Sequence, residues 1–191
     1  MDNSLQIHIN KFISLTDEDF HDLLSYCQTI KLKKKQNLLE AGKICRSNYF
    51  VLNGCLRMFF INNKAVEQTT HFALENWWVA DYQSFSTQTA STFYIQAIES
   101  TEVLAIDYSS QEKMLAQFPQ MERYFRLIHQ RAHAASQFRV KGLYELSGEE
   151  RYHQFIERYP EFVQRIPQYL LASFLGLTPE YLSEIRRKYI S

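Results

Sequence analysis

The stretch Leu170–Lys188 reads LLASFLGLTPEYLSEIRRK. It spells two short helices about a turn. The first is apolar at Leu171 and Leu175, starts at Pro167 and stops at Gly176, whose tolerance of positive φ suits a tight helix–helix connection. Ala172 is small where a second helix must cross closely. Thr178 is a good N-cap, and Pro179 fits the first position of the next helix, where a missing N–H costs nothing. Leu182 and Ile185 then turn inward. Leu171, Ala172, Gly176, Leu177, Leu182 and Ile185 together make the core pattern of a helix-turn-helix; the plainer alternative is an αα-hairpin with no ligand.

Successive residues of a helix rotate by about 100°, so the sides of the second helix can be assigned. Thr178, Leu182, Ile185 and Tyr189 are expected to point into the domain. Glu180, Ser183, Glu184 and Arg187 are expected to point away, towards a DNA major groove. The expected contact set is Thr178, Pro179, Glu180, Ser183, Glu184, Arg186, Arg187 and Lys188. Arg187 suits guanine or a phosphate, and Glu180 suits the cytosine amino group. Two outward glutamates repel phosphate, so affinity falls to Arg165, Arg186, Lys188 and the amides at the helix start. Glu184 reads equally as a base contact or as a solvated side chain.

Upstream, Pro119 suits the first turn of a long helix. Met121, Phe125, Ile128, Ala132, Ala135, Arg139, Gly142 and Leu146 follow at alternating steps of four and three. A helix packed on its own domain drifts towards a 3.6 period, whereas a sustained heptad favours self-pairing. The pairing residues are therefore expected at Met121, Phe125, Ile128, Ala132 and Ala135, loosening at Arg139 and Gly142. Ser147-Gly148-Glu149-Glu150 reads as a capping box that opens a new helix at a hinge-like joint, and Pro160 ends that helix.

The N-terminal half has a different texture. Thr16 caps a helix through Phe20, Leu23 and Leu24, and from Ile30 to about Asp107 the pattern becomes short β-type runs. NYFVLNGCLRMFFIN predicts two strands forming a hairpin at Asn53-Gly54. Strands without intervening helices indicate an antiparallel barrel or jelly roll. The expected organisation is α+β: an N-terminal jelly roll (double-stranded β-helix) over 1–117, a dimerisation helix over 118–146 and a helix-turn-helix domain over 147–191.

Lys+Arg and Asp+Glu both total 21, which argues against a body coated in nucleic acid but permits a local contact. The longest uncharged apolar run is far short of the ~20 residues that span a bilayer, so a cytoplasmic protein with no membrane partner is expected. Cys27, Cys45 and Cys55 form no C-x-x-C and read as buried apolar residues. No metal site is expected: His129 and His133 have ligand spacing without nearby acidic ligands, and His71 stands alone among the strands. No nucleophile triad or Gly-rich phosphate loop stands out, so neither an enzyme nor a cofactor is indicated.

A β-rich first half, a long pairing helix and RIPQYLLASFLGLTPEYLSEIRRK at the end resemble the Crp/Fnr family of transcription regulators across essentially the whole chain. LLEAGKICRSNYFVLNGCLRMFF is similar to that family's β-roll signature. The resemblance implies a homodimer reading a two-fold symmetric double-stranded DNA site, with a sensory pocket in the roll. Members that bind cyclic AMP carry Gly-Glu and then Arg in a phosphate cassette. Here FALENWWVADYQSFSTQTASTFYIQA has Glu75 without a neighbouring Gly, and there is no Arg or Lys between Lys64 and Lys113. A buried phosphate would lack a cation, so cyclic AMP is not expected to bind in the family's usual way. Glu75, Trp77, Trp78, Tyr82 and Phe85 either line a pocket for another small-molecule effector or fill it. The family's helix-turn-helix is commonly followed by a β-hairpin wing; with only YIS after Lys188, fewer phosphate contacts and a modest DNA affinity are expected. The alternative reading is a ligand-sensing or protein-interaction module whose degenerate helix-turn-helix does not bind DNA.

Overall fold

The computed structural model describes residues 3–190, with the side chains of Glu161, Tyr189 and Ile190 outside the description. The chain divides into two compact units, residues 1–60 with 71–129, and 61–70 with 130–191.

The first unit is a jelly roll. Eight strands, β1 (Gln28–Leu32), β2 (Asn37–Leu39), β3 (Ser47–Asn53), β4 (Leu56–Ile61), β5 (Glu67–Ala73), β6 (Trp78–Val79), β7 (Tyr94–Ala97) and β8 (Thr101–Asp107), form two four-stranded sheets. Their orders are β1-β8-β3-β6 and β2-β7-β4-β5. The strand ladders described are antiparallel, with Phe50 opposite Leu104 in one sheet and Met58 opposite Ile95 in the other.

This topology corrects the expected hairpin. β3 and β4 lie in different sheets, so Asn53-Gly54 carries the chain across the roll and closes no ladder. The turn signal is real, since Gly54 has φ +97°. Glu75, expected near a pocket, fixes this crossover: its Oε1 accepts the Gly54 N–H at 2.8 Å.

The central strands of the first sheet, β3 and β8, are buried on both faces over most of their length, which is why YFVL and VLAI read as continuous apolar runs, while β1 is largely exposed. Tyr49, Val51, Val103 and Ala105 face the roll interior with Leu56, Ile95 and Ala97. Phe50, Leu104 and Ile106 face the other way, onto helices. Those helices are α1 (Ser4–Ile9), α2 (Asp17–Leu24), α4 (Tyr108–Gln117) and the start of α5 (Gln120–Glu145); a short α3 (Tyr82–Thr87) lies between β6 and β7. The Thr16 cap forms as its sequence predicts, Oγ1 accepting from Asp19 N at 3.1 Å. Helix α1, unmarked by any sequence signal, supplies the fully buried Leu5 and Ile9.

A polar relay runs through this helical layer. Trp78 Nε1 donates to Tyr124 Oη at 2.8 Å, and the same phenol lies 2.8 Å from His8 Nδ1. Burial pushes the Tyr124 phenol well above its ordinary pKa, so it stays neutral and able to donate.

The second unit holds the rest of α5, then α6 (Gly148–Arg158), α7 (Pro160–Arg165), α8 (Gln168–Leu175) and α9 (Pro179–Ile190). The α6 capping box is complete: Ser147 Oγ accepts from Glu150 N and Glu150 Oε2 accepts from Ser147 N. Gly148 is less a hinge than a close contact. A Cβ there would lie 2.6 Å from Tyr181 Cε1 and 2.7 Å from Leu177 Cδ2. Pro160 opens α7 as well as ending α6. The tip of the β4–β5 connection belongs to this unit, where Ser173 Oγ accepts from Thr69 N at 2.9 Å and donates to Glu67 O at 3.0 Å. No helix among the described residues is long and apolar enough to cross a membrane.

Gly54→Ala is expected to destabilise the roll strongly. Besides the unfavourable φ, its Cβ would lie 2.6 Å from Ser100 O and 2.8 Å from Thr101 Cα, both backbone atoms that cannot swing away. Urea denaturation should show a loss of about 2–3 kcal/mol.

Candidate nucleic-acid interface

The candidate interface is built on α8 and α9, and the turn between them is fixed by hydrogen bonds. Gly176 adopts the left-handed conformation, φ 69° and ψ 35°. Leu177 N then reaches back to Ala172 O at 2.9 Å and Gly176 N to Ser173 O at 3.2 Å, the paired bonds of a Schellman cap. The remaining carbonyls at this helix end are taken by arginines. Arg139 Nη1 donates to Phe174 O at 3.5 Å, and Arg151 Nε donates to Leu175 O at 3.0 Å. Four carbonyls that a helix end leaves open are thus satisfied. Arg139 also lies over the Phe174 ring, 5.0 Å from its centroid. Its place in the heptad is explained by this contact within the chain.

Beneath the turn, Leu171, Ala172, Leu175, Leu182 and Ile185 are buried, while Leu177 is half-buried. Full burial of each large aliphatic side chain contributes about 1.5–3 kcal/mol. Thr178 departs from its expected inward position. It is exposed, and its Oγ1 accepts the Tyr181 N–H at 3.2 Å as the cap of α9. Tyr189 carries no description of its side chain.

Seven residues on the outer side of α9 are exposed: Pro179, Glu180, Tyr181, Ser183, Glu184, Arg187 and Lys188. Glu184 is not simply solvated, for Lys188 Nζ lies 3.2 Å from its carboxylate. Arg186 is half-buried and turned to Gln168, with Nη1 3.2 Å from Oε1. Gln168 also donates to Ser183 Oγ at 2.8 Å. The first residue of α8 thus grips α9 at two places, which the α9 sequence pattern by itself does not reveal.

Helix α5 treats its heptad unevenly. Met121 and Phe125 are buried in the core of their own roll and Ile128 packs at its margin, so the first two are not available to a pairing face. Residues 130–138 are exposed throughout, Ala132 and Ala135 among them. Below them Phe138 and Tyr144 are 66% and 90% exposed.

The five residues expected around a roll pocket do not converge. Trp78 packs on Phe50 and Phe125, each with ring centroids 5.2 Å apart. Phe85 joins the interior cluster and packs edge-on against Tyr108. Trp77 and Tyr82 are partly exposed, and Glu75 holds the Gly54 crossover. The acidic residue that matters in this segment is Asp81, which the sequence reading missed. Buried at the head of α3, it accepts from Ser84 N at 3.3 Å and from Ser91 Oγ at 2.6 Å. Its signal was legible: Asp-x-x-Ser is an N-cap spacing. The buried guanidinium of Arg57 is directed elsewhere. Leu56 and Met58 face the interior, so Arg57 faces the opposite side of the sheet, where it donates twice to Gln96 Oε1 and lies 3.9 Å from the Phe59 ring centroid.

His129 is half-buried and meets the Tyr82 ring edge-on at 4.6 Å. Burial lowers its pKa. Cys45 and Cys55 are buried and Cys27 is half-buried, its thiol pushed up to about 12 by desolvation. Among the described residues, no group of three or more His, Cys, Asp or Glu is placed to hold a metal ion.

A β-roll followed by a helical segment ending in a helix-turn-helix is the class this geometry defines. Residues 29–118 match the family model described as cyclic nucleotide-binding domain. FixK2 from Bradyrhizobium japonicum is similar in structure, with a TM-score of 0.72 at 17% identity, over 85% of this chain and 83% of that one. The Catabolite Activator Protein of Thermus thermophilus gives 0.57 at 19% identity, over 92% and 84%. A protein from Eubacterium rectale described as a transcriptional regulator of the crp/fnr family gives 0.68 at 14% identity, over 92% and 83%. No curated protein matches the sequence. The chain has the fold of the Crp/Fnr-type regulators.

Leu182→Ala should destabilise the helical unit by about 2–5 kcal/mol, since Leu182 is fully buried under the turn. Thermal unfolding followed by circular dichroism checks this; a change under 1 kcal/mol would show the two helices to be loosely joined.

Proposed function

We propose that this protein is a dimeric, sequence-specific DNA-binding transcription regulator of Crp/Fnr type that does not respond to cyclic AMP. The observation that carries the reading is α9: a capped helix anchored by Leu182 and Ile185, with an exposed polar ridge of Glu180, Ser183, Glu184 and Arg187. A ridge of this kind fits a major groove, where Arg187 meets guanine or phosphate and Glu180 meets the cytosine amino group. Pairing is supported by residues 130–138 of α5, which are exposed and carry Ala132, Ala134, Ala135 and Phe138 among polar neighbours. The pairing face on this reading begins near Ile128 and centres on Ala132 and Ala135.

The cyclic AMP part rests on the roll. Asp81 places a carboxylate where α3 begins, with both oxygens engaged by Ser84 and Ser91. A phosphate brought beside a buried carboxylate, in a segment without Arg or Lys, meets repulsion and no compensating cation. An effector of other chemistry and a cytoplasmic location are part of the same proposal. One observation favours the second reading, a ligand-sensing or protein-interaction module whose degenerate helix-turn-helix does not bind DNA: residues 147–191 hold six Lys/Arg against six Glu, so the non-specific attraction is weak.

Selection from random duplexes at low salt should enrich a two-fold symmetric sequence, and Arg187→Ala should lower affinity by about 1–3 kcal/mol while relaxing one base position per half-site. No enrichment at low salt favours the second reading. Calorimetric titration with cyclic AMP and cyclic GMP is expected to give no binding heat, and micromolar affinity for either overturns that part.

A further inference from the structure

Gln168 stands outside the exposed ridge of α9, yet its amide touches two residues of that helix. Arg186 Nη1 is 3.2 Å from Gln168 Oε1, and Gln168 Nε2 is 2.8 Å from Ser183 Oγ. The sense of this chain of bonds follows from chemistry. A guanidinium has donors only, so the amide atom that faces Arg186 must be the oxygen. The atom that faces Ser183 is then the NH2 group, and Ser183 Oγ must accept from it. A hydroxyl has a single proton, and the proton of Ser183 is left to point away from Gln168. Ser183 itself is exposed on the ridge.

We infer that Gln168 is a positioning residue that fixes Ser183 as a hydrogen-bond donor towards an acceptor on DNA, while holding Arg186 back from the groove. This rests on the DNA-binding reading. The ligand chemistry is an acceptor atom: a base-edge acceptor (purine N7, guanine O6 or thymine O4) or a phosphate oxygen. Arg186 becomes a brace for Gln168, not a reader, which separates it from Arg187 one residue later. The competing use of the Ser183 proton is a bond back to the carbonyl one turn earlier in α9.

Gln168→Glu tests this with nearly unchanged shape. A carboxylate accepts from Arg186 as before but cannot donate, so Ser183 must turn its proton inward and offers DNA only a lone pair. The full-length protein is used for selection on random duplexes, affinity titration and thermal unfolding. Q168E is expected to unfold at or above the wild-type temperature while losing about 5- to 10-fold in affinity. A changed base preference at one position per half-site identifies a base-edge acceptor; an even loss across sequences identifies phosphate. Ser183→Ala should show the same loss, Ser183→Thr should restore the hydroxyl's effect, and Q168E with S183A should be no worse than S183A. Wild-type enrichment with Q168E and S183A unchanged within about 2-fold overturns the inference alone, as do fully additive losses in the double variant. A wild-type protein that enriches nothing overturns the DNA-binding reading and this inference with it.

Discussion

The left-handed turn at Gly176 is the constraint on which the helical unit depends. With φ at 69°, the chain reverses within a few residues and Leu177 N closes back on Ala172 O. A β-carbon at that position would meet Leu143 Cδ2 at an ordinary 3.5 Å, so conformation, not space, selects glycine. The turn sets where α9 begins and therefore which of its residues are buried. Leu182 and Ile185 go inward, and the polar ridge goes outward as a consequence. Arg139 and Arg151 complete the cap by taking the last two carbonyls of α8. Polar side chains from α5 and α6 thus hold the same corner that apolar packing closes from beneath.

The roll obeys a different economy of contacts. Its first sheet has apolar residues on both faces, one set filling the interior and the other packed under helices α1, α2, α4 and α5. The interior is filled by side chains of the strands together with Cys45, Ala80 and Phe85, and the polar groups of the Asp81 segment bond to one another and to the Cys45 backbone. Ser84 Oγ accepts from Cys45 N and donates to Thr89 O, and Ser91 binds the carboxylate. Such a segment is satisfied without a ligand, which is the physical basis for proposing that a cyclic nucleotide does not belong there.

Charge shapes the proposed interface as much as form does. Glu184 is offset by Lys188, and Arg186 is drawn to Gln168. The cations nearest the ridge are therefore partly engaged within the protein. On the proposed reading, discrimination between sequences rests on hydrogen-bond sense and shape complementarity more than on bulk attraction to phosphate.

Features set by a few neighbouring residues were legible in the sequence: the caps at Thr16, Ser147 and Thr178, the turn at Gly176, the short β-type runs of the roll, and the inward pair Leu182 and Ile185. Each depends on torsions and bonds within about one turn, which a short stretch of chain specifies by itself. Features that join distant residues were decided only by the tertiary structure. The strand after Asn53-Gly54 crosses to the other sheet because its partner is β7, some 40 residues on. Met121 and Phe125 keep a heptad spacing yet pack into their own roll, since periodicity gives a face and not what covers it. Asp81, Arg139 and Gln168 draw their meaning from Ser91, Phe174 and Ser183, and contacts of that kind exist only once the chain has closed on itself.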